Sequence, residues 1–205
     1  MAMIEDRLPA AEALLLGTLL ACGAQCMAQA ASIDPALLAK ATGGDAAAQV
    51  AVGDQYTQAA AAARDRTQIA ADQLQELAWF RKAAEQNYLP GEMRLAALYR
   101  DGAGRAVARD PAQAAAWYRK AADQGDTSAQ ATLGLLYSLG LGVPHDDVEA
   151  YFWMDLAASA KGPEQAKYAA NRQAIGERIT EDELASVEDR VTAWKAAHPR
   201  SGGKD

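Results

Sequence analysis

Cysteine is almost missing from this 205-residue chain. Both copies, Cys22 and Cys26, fall near the start, so no disulfide ties the remainder together and its stability rests on packing. Basic runs are missing too. The formal net charge is −7 and no lysine or arginine cluster breaks it, which sets nucleic-acid binding aside. The leucine-rich stretch Ala13 to Ala21 is too short to cross a membrane as a mature helix. No segment alternates with period two, so strands are not expected. No zinc-helix, Walker or nucleophile-elbow pattern occurs, and no cofactor or metal site is expected.

What the chain has in plenty is repetition. Trp117-Tyr118-Arg119-Lys120-Ala121-Ala122-Asp123-Gln124-Gly125 is preceded 38 residues earlier by Trp79-Phe80-Arg81-Lys82-Ala83-Ala84-Glu85-Gln86-Asn87. It is followed 36 residues later by Trp153-Met154-Asp155-Leu156-Ala157-Ala158. Upstream of each stands a second phrase: Val52-Gly53-x-x-Tyr56, Leu95-Ala96-x-x-Tyr99 and Leu133-Gly134-x-x-Tyr137. Self-similarity at this period predicts an all-α array whose units stack to bury a shared apolar face. In the middle copy Met93, Leu95, Leu98 and Tyr99 recur at helical spacing and stop at Gly102-x-Gly104; Gly140-x-Gly142 plays the same part in the third. Asp110-Pro111 reads as an N-cap with proline at N1. An aspartate lies seven residues before the tryptophan in all three copies (Asp72, Asp110, Asp146), so each is expected to cap a second helix. The alanine pairs let helices approach closely, and the aromatics, the tryptophans among them, fill the space between layers.

Ala-x-x-x-Leu-Gly-x-x-Tyr…Gly-x-Gly-Val…Asp…Trp-Tyr-x-Lys-Ala-Ala-x-Gln-Gly resembles the Sel-1-like repeat, a short relative of the tetratricopeptide repeat. The resemblance spans roughly residues 40 to 162. It implies an α-solenoid of stacked helix-turn-helix units, used in bacteria as a protein-interaction scaffold, and it names no partner. The units fall at about 45–88, 89–126 and 127–162. Family members with a cysteine pair in each repeat staple their hairpins; these repeats have none. The first copy also lacks the glycine pair, and Thr57 to Ala63 should prolong its first helix. Tyr56 and Trp79 are 23 residues apart, against 18 and 16 in the other copies, which predicts a longer, differently shaped corner.

The ends differ in character. Residues 1–30 resemble a secretory signal, with an apolar core and Ala28-Gln29-Ala30 as a small-x-small cleavage site, although Glu5, Asp6 and Glu12 outnumber Arg7 in the leader. Leu19-Leu20-Ala21-Cys22 resembles a bacterial lipoprotein box, which implies lipidation of Cys22 and attachment to a membrane through that anchor alone. Cleavage after Ala30, and a non-cleaved helix packed on the first repeat of a cytoplasmic protein, are the alternatives. Residues 31–44 are expected to form a capping helix, with Asp34 at its N-cap and Pro35 at N1. Residues 163–199 should close the array as a helical hairpin. Its first helix carries Ala166, Ala169, Ala170 and Ile175 on one side, and its second is started by the Thr180-Glu183 capping box and carries Leu184, Val187, Val191 and Trp194. Residues 200–205 read as a disordered tail.

Candidate chemistry is sparse. His145-Asp146-Asp147 lies on one loop, where adjacent residues rarely converge on a metal, and His198 has no nucleophile or carboxylate beside it. Some relatives are associated with β-lactam binding or hydrolysis, but Ser201-Gly202-Gly203-Lys204 matches a Ser-x-x-Lys motif in letters only. The remaining candidate is a groove on the concave face of the array, lined by outward residues of the first helices: Asp54 and Gln58, then Arg94, Ala97 and Arg100, then Thr132, Leu135 and Leu139. Arg94 and Arg100 are nearly two turns apart and suit carboxylates; Leu135 and Leu139, one turn apart, suit an apolar residue. The expectation is a non-catalytic, monomeric, envelope-associated binder of a protein or peptide. An enzyme on the same scaffold, acting on β-lactam-like or cell-wall-derived substrates, and a purely structural tether are the alternatives.

Overall fold

The computed structural model describes residues 33–199, and among them every regular element is an α-helix. Residues 1–30, with Cys22 and the cleavage site, lie outside the described residues, as do 200–205. The helices are α1 (Pro35–Thr42), α2 (Ala46–Ala62), α3 (Arg66–Glu85), α4 (Leu89–Asp101), α5 (Pro111–Asp123), α6 (Thr127–Leu139), α7 (Asp147–Ala158), α8 (Gln165–Gly176) and α9 (Glu181–Ala197). None of them is long and apolar enough to cross a membrane.

Short polar caps set most of the starts. Asp45 accepts from Ala48 N–H at 2.8 Å, Asp110 from Gln113 N–H at 3.0 Å, Asp126 from Ala129 N–H at 2.7 Å and Asp146 from Glu149 N–H at 2.9 Å. Each satisfies one of the orphan donors that a helix N-terminus leaves. Asp34 caps α1 ahead of Pro35, and Thr180 and Glu183 form the capping box of α9. The second helices of the first two copies stop on a left-handed residue. In the second copy this is Gly125, at φ +89; in the first, Asn87 takes the same place at φ +56, which its short polar side chain tolerates.

The first copy departs from expectation at its second helix. Asp72 is not its N-cap. Asp65 is, accepting from Thr67 and Gln68 N–H, so α3 starts earlier and runs 20 residues. Asp72 lies buried within α3 and accepts from Gln68 Nε2 at 2.8 Å. The extra residues between Tyr56 and Trp79 therefore lengthen the helices rather than the corner, which shrinks to Ala63–Asp65. Alanine-rich sequence propagates a helix readily, and without the glycine pair nothing stops α2 before Ala62.

Helices α2–α3, α4–α5 and α6–α7 pair as hairpins, and α3, α5 and α7 each pack on the first helix of the next layer. The alanine pairs sit at these seams; Ala83, Ala84, Ala121, Ala122 and Ala157 are fully buried. Close approach also fixes Gly142, where a Cβ would lie 2.0 Å from the Pro111 carbonyl oxygen, so the loop after α6 is seated on the start of α5. Trp79 and Trp153 are buried, but Trp117 is half-buried and Tyr118 is the buried aromatic of its layer. In α5 the apolar face is set by Ala114, Ala115, Tyr118, Ala121 and Ala122, which turns Trp117 toward the edge with Lys120 Nζ 3.8 Å from its ring.

Helices α8 and α9 both dock on α7, burying Ile175, Val187 and Val191. The alanine face of α8 turns out differently from its pattern: Ala166 and Ala170 are exposed along an open groove that also touches Tyr151 and Leu184. Small side chains remove too little surface from water to dictate which side of a helix is buried, and Ile175 dictates it here.

Candidate partner-binding face

The outward residues of the first helices are present at the surface, but their polar members are already engaged with one another. Arg94 Nε lies 3.2 Å from Asp54 Oδ1, an ion pair that ties α4 back to α2. Arg100 forms a two-pronged pair with its neighbour Asp101, at 2.8 and 2.7 Å, and its Nη1 donates to the Tyr118 hydroxyl at 3.0 Å. That pairing pushes the Arg100 guanidinium up and holds the Asp101 carboxyl below the usual range. Arg109 braces the same corner by donating to the Arg100 carbonyl at 2.9 Å. Gln58 is exposed, Ala97 half-buried, and the Thr132 hydroxyl turns back to the Ser128 carbonyl at 2.8 Å. The two guanidinium groups thus hold carboxylates of this chain.

Leu135 and Leu139 remain 39% and 64% exposed, and Leu141, just after the helix, 48%. The closing hairpin comes close without covering them. Arg178 donates to Ser138 Oγ, one residue before Leu139, at 2.6 Å and pairs with Asp147. Leu141 extends the patch; its place in the glycine loop marked it as turn sequence and hid its exposure.

Sequence reasoning also missed a set of ties between layers. The arginine two residues after the tryptophan reaches the tyrosine of the next first helix: Arg81 Nη2 donates to Tyr99 OH at 2.7 Å, and Arg119 Nη2 to Tyr137 OH. At the third copy this position is Asp155, which faces the closing hairpin and takes Arg172 Nη1 at 2.7 Å and Lys195 Nζ at 3.1 Å. The break from Arg81 and Arg119 to Asp155 was visible in the repeated phrase.

A second series runs through glutamine. Gln49 Nε2 donates to the Ala41 carbonyl and Gln130 Nε2 to the Ala122 carbonyl, each eight residues back. At the same place in the second copy stands Glu92, fully buried. Its Oε2 accepts from Gln124 Nε2 at 2.6 Å, while Oε1 has no partner among the described residues. Burial pushes this carboxyl up, and Lys120 opposes the shift.

Of the other candidates, His145 stands 3.5 Å from Asp147 while Asp146 caps α7, and the His198 ring stacks on Trp194. Among the described residues no three acidic, histidine or cysteine side chains gather as metal ligands.

The repeat phrases, the paired helices and the stacked alanine seams define a known unit. A family model described as Sel1 repeat matches residues 77–88, 90–126 and 127–161. A solved Sel1 repeat protein from Oxalobacter formigenes is 31% identical, the match covering 63% of this chain and 93% of that one at a TM-score of 0.52.

The chain belongs to the Sel1 repeat family.

A protective antigen present in uropathogenic Escherichia coli strains, displaying an SLR fold, is 26% identical over 77% of this chain, with a TM-score of 0.54. The chain spans 39% of that antigen's length. No curated protein matches the sequence. The first matched segment of the family model begins at Leu77, so α2 and the start of α3, where the unusual corner lies, fall outside it. Sel1 repeats generally mediate protein–protein interaction, and the family is generally one of non-catalytic scaffolds.

Proposed function

We propose that this Sel1 repeat chain is a non-catalytic scaffold of the bacterial cell envelope that binds a protein or peptide segment across the outward face of α2, α4 and α6. One observation carries the reading. Leu135 and Leu139 stand one turn apart on α6, exposed, beside a closing hairpin that leaves them open. Two large apolar side chains presented together in this way mark a contact surface more readily than solvated helix. The polar members of the face, Asp54 with Arg94 and Arg100 with Asp101, form its rim, where a partner's charges affect orientation and salt dependence more than affinity. The apolar segment Ala13 to Ala21 and the sequence around Cys22 and Ala30 support export, ending either in a lipid anchor at Cys22 or in cleavage after Ala30.

Crosslinking followed by capture from envelope fractions tests the binding. Leu135→Asp and Leu139→Asp should each abolish recovery of the partner at low and high salt while leaving helicity unchanged. Undiminished capture by both variants would remove α6 from the interface. Location is read separately by mass spectrometry of the mature chain. A processed chain is the expected result: a start at acylated Cys22 establishes the anchor, an unmodified start at Ala31 establishes ordinary export, and an intact Met1 or Met3 defeats both.

A further inference from the structure

Between the prolonged end of α2 in the first repeat and the glycine loop after α4 lies a cleft of about 480 Å³. Its apolar lining comes from Ala60 and Ala61 on the prolonged end of α2, Phe80 from α3 and Leu98 from α4, and Arg94 and Asp101 also border it. Its uncharged polar groups and one carboxyl come together from α2 and α3. Gln73 and Glu76 lie three residues apart on α3, hence on one face, and Thr57 Oγ1 donates to Glu76 Oε1 at 2.8 Å.

Glu76 is the unusual member. The residue is only 8% exposed, yet among the described residues its one hydrogen bond is the neutral one from Thr57, and it forms no ion pair there. The nearby charges do not supply a counter-ion. Asp54 opposes its ionisation and Arg94 favours it, but these two are paired with each other, and Asp101 at the rim is paired with Arg100. Burial pushes the Glu76 carboxyl up, outweighing the Thr57 hydrogen bond and the Arg94 charge that favour its ionised form.

We propose that this cleft is the anchor site for a lysine side chain of the bound partner, its aliphatic stem lying along Ala60, Ala61, Phe80 and Leu98 and its ammonium donating to Glu76, Gln73 Oε1 and Thr57 Oγ1. An ammonium carries three donors and no acceptor, matching three clustered acceptors, and the four-carbon stem needs the apolar lining. Thr57, Ala60, Ala61 and Gln73 all belong to the stretch in which the first copy departs from the pattern of the other two, so neither of the other layers repeats the site. The inference rests on the reading of the protein as a peptide binder, and it adds what that peptide must carry.

Amide NMR of the full chain with three probes tests it: Ac-Gly-Lys-Gly-NH2, the neutral norleucine analogue, and n-butylammonium. The lysine peptide should shift the amides of Ala60, Ala61, Gly102 and Gly104, and bind at least about tenfold more tightly than the norleucine peptide, the scale of one charge-assisted hydrogen bond. Its affinity should rise as pH rises through the titration of Glu76. Glu76→Gln, which keeps the Thr57 contact, should remove the preference for lysine, and Ala61→Leu, an exposed position, should block both peptides. Equal binding of lysine and norleucine, no shift with either, or an unchanged preference in Glu76→Gln overturns the site. Butylammonium matching the lysine peptide overturns its assignment to a peptide side chain. These amides are remote in sequence from α6, so failure here leaves the Leu135 and Leu139 result to be judged alone.

Discussion

Glu92 occupies a place built for glutamine. In the flanking layers Gln49 and Gln130 send an N–H to a carbonyl eight residues back, and by the register of the repeat the corresponding carbonyl is that of Ala84. A carboxylate cannot donate there; a carboxylic acid can. Because the folded protein holds this proton more tightly than the unfolded chain, the stability tied to Glu92 is complete at acidic pH. It is lost as pH rises from the ordinary glutamate range through the raised folded value. Glu92→Gln supplies the donor at every pH, and should stabilise the protein by about 1–2 kcal/mol at pH 8, the cost of an unsatisfied buried acceptor. Urea unfolding at pH 8 and pH 5 checks this. The gain should shrink at pH 5, and an equal gain at both would mean that Glu92 does not titrate between them. Trp117 and Trp153 carry the same letter in the repeat, but their burial separates them. Trp153→Ala should cost about 3–5 kcal/mol and Trp117→Ala clearly less, because only the former leaves a cavity walled on all sides. Equal losses would place Trp117 in the core after all.

At the scale of elements, sequence patterning showed where helices run but not how each one turns. The repeated phrases, glycine pairs and Asp-Pro start located the inner helices, because those signals act locally on the backbone. Asp72 misled because its spacing from Trp79 matched Asp110 and Asp146, while the deciding feature was upstream. Without glycine, α2 continued, and Asp65 took the cap. The candidate face was legible as a set of positions and illegible as chemistry. Which side chains of α2, α4 and α6 point outward follows from period, whereas the pairing of Arg94 with Asp54 depends on how layers stack, which no single helix encodes. The junction with the closing hairpin lends itself to a test at this scale. Asp155 holds both α8, through Arg172, and α9, through Lys195. Asp155→Arg should therefore raise hydrogen exchange across α8 and α9 while α4 and α5 keep their protection. Exchange unchanged in the hairpin would show that Ile175, Val187 and Val191 hold it without help.

For the molecule as a whole, the buried residues fall into separate clusters. One gathers around Trp79 and Ile33, a second around Phe80 and Leu95, and the largest joins the second and third layers to the closing hairpin. In a linear array each layer is stabilised by its neighbours, so damage should stay near its origin. Trp79→Ala is expected to speed exchange in α1, α2 and α3 and to leave α6 and α7 nearly as protected as before. Loss of protection along the entire chain would mean that the clusters unfold as one unit.

The sign change from Arg119 to Asp155 bears on how such a chain can grow or shrink over time. A duplicated inner layer brings its own arginine and its own tyrosine, so every new seam is complete when the copy is inserted ahead of the third layer. An arginine laid against Arg172 leaves a seam of like charges, and an aspartate laid against a tyrosine loses the two cations that Asp155 holds here. Lengthening is therefore cheap in the interior and penalised at the terminus, and one residue separates a layer that accepts another copy of itself from the layer that must come last.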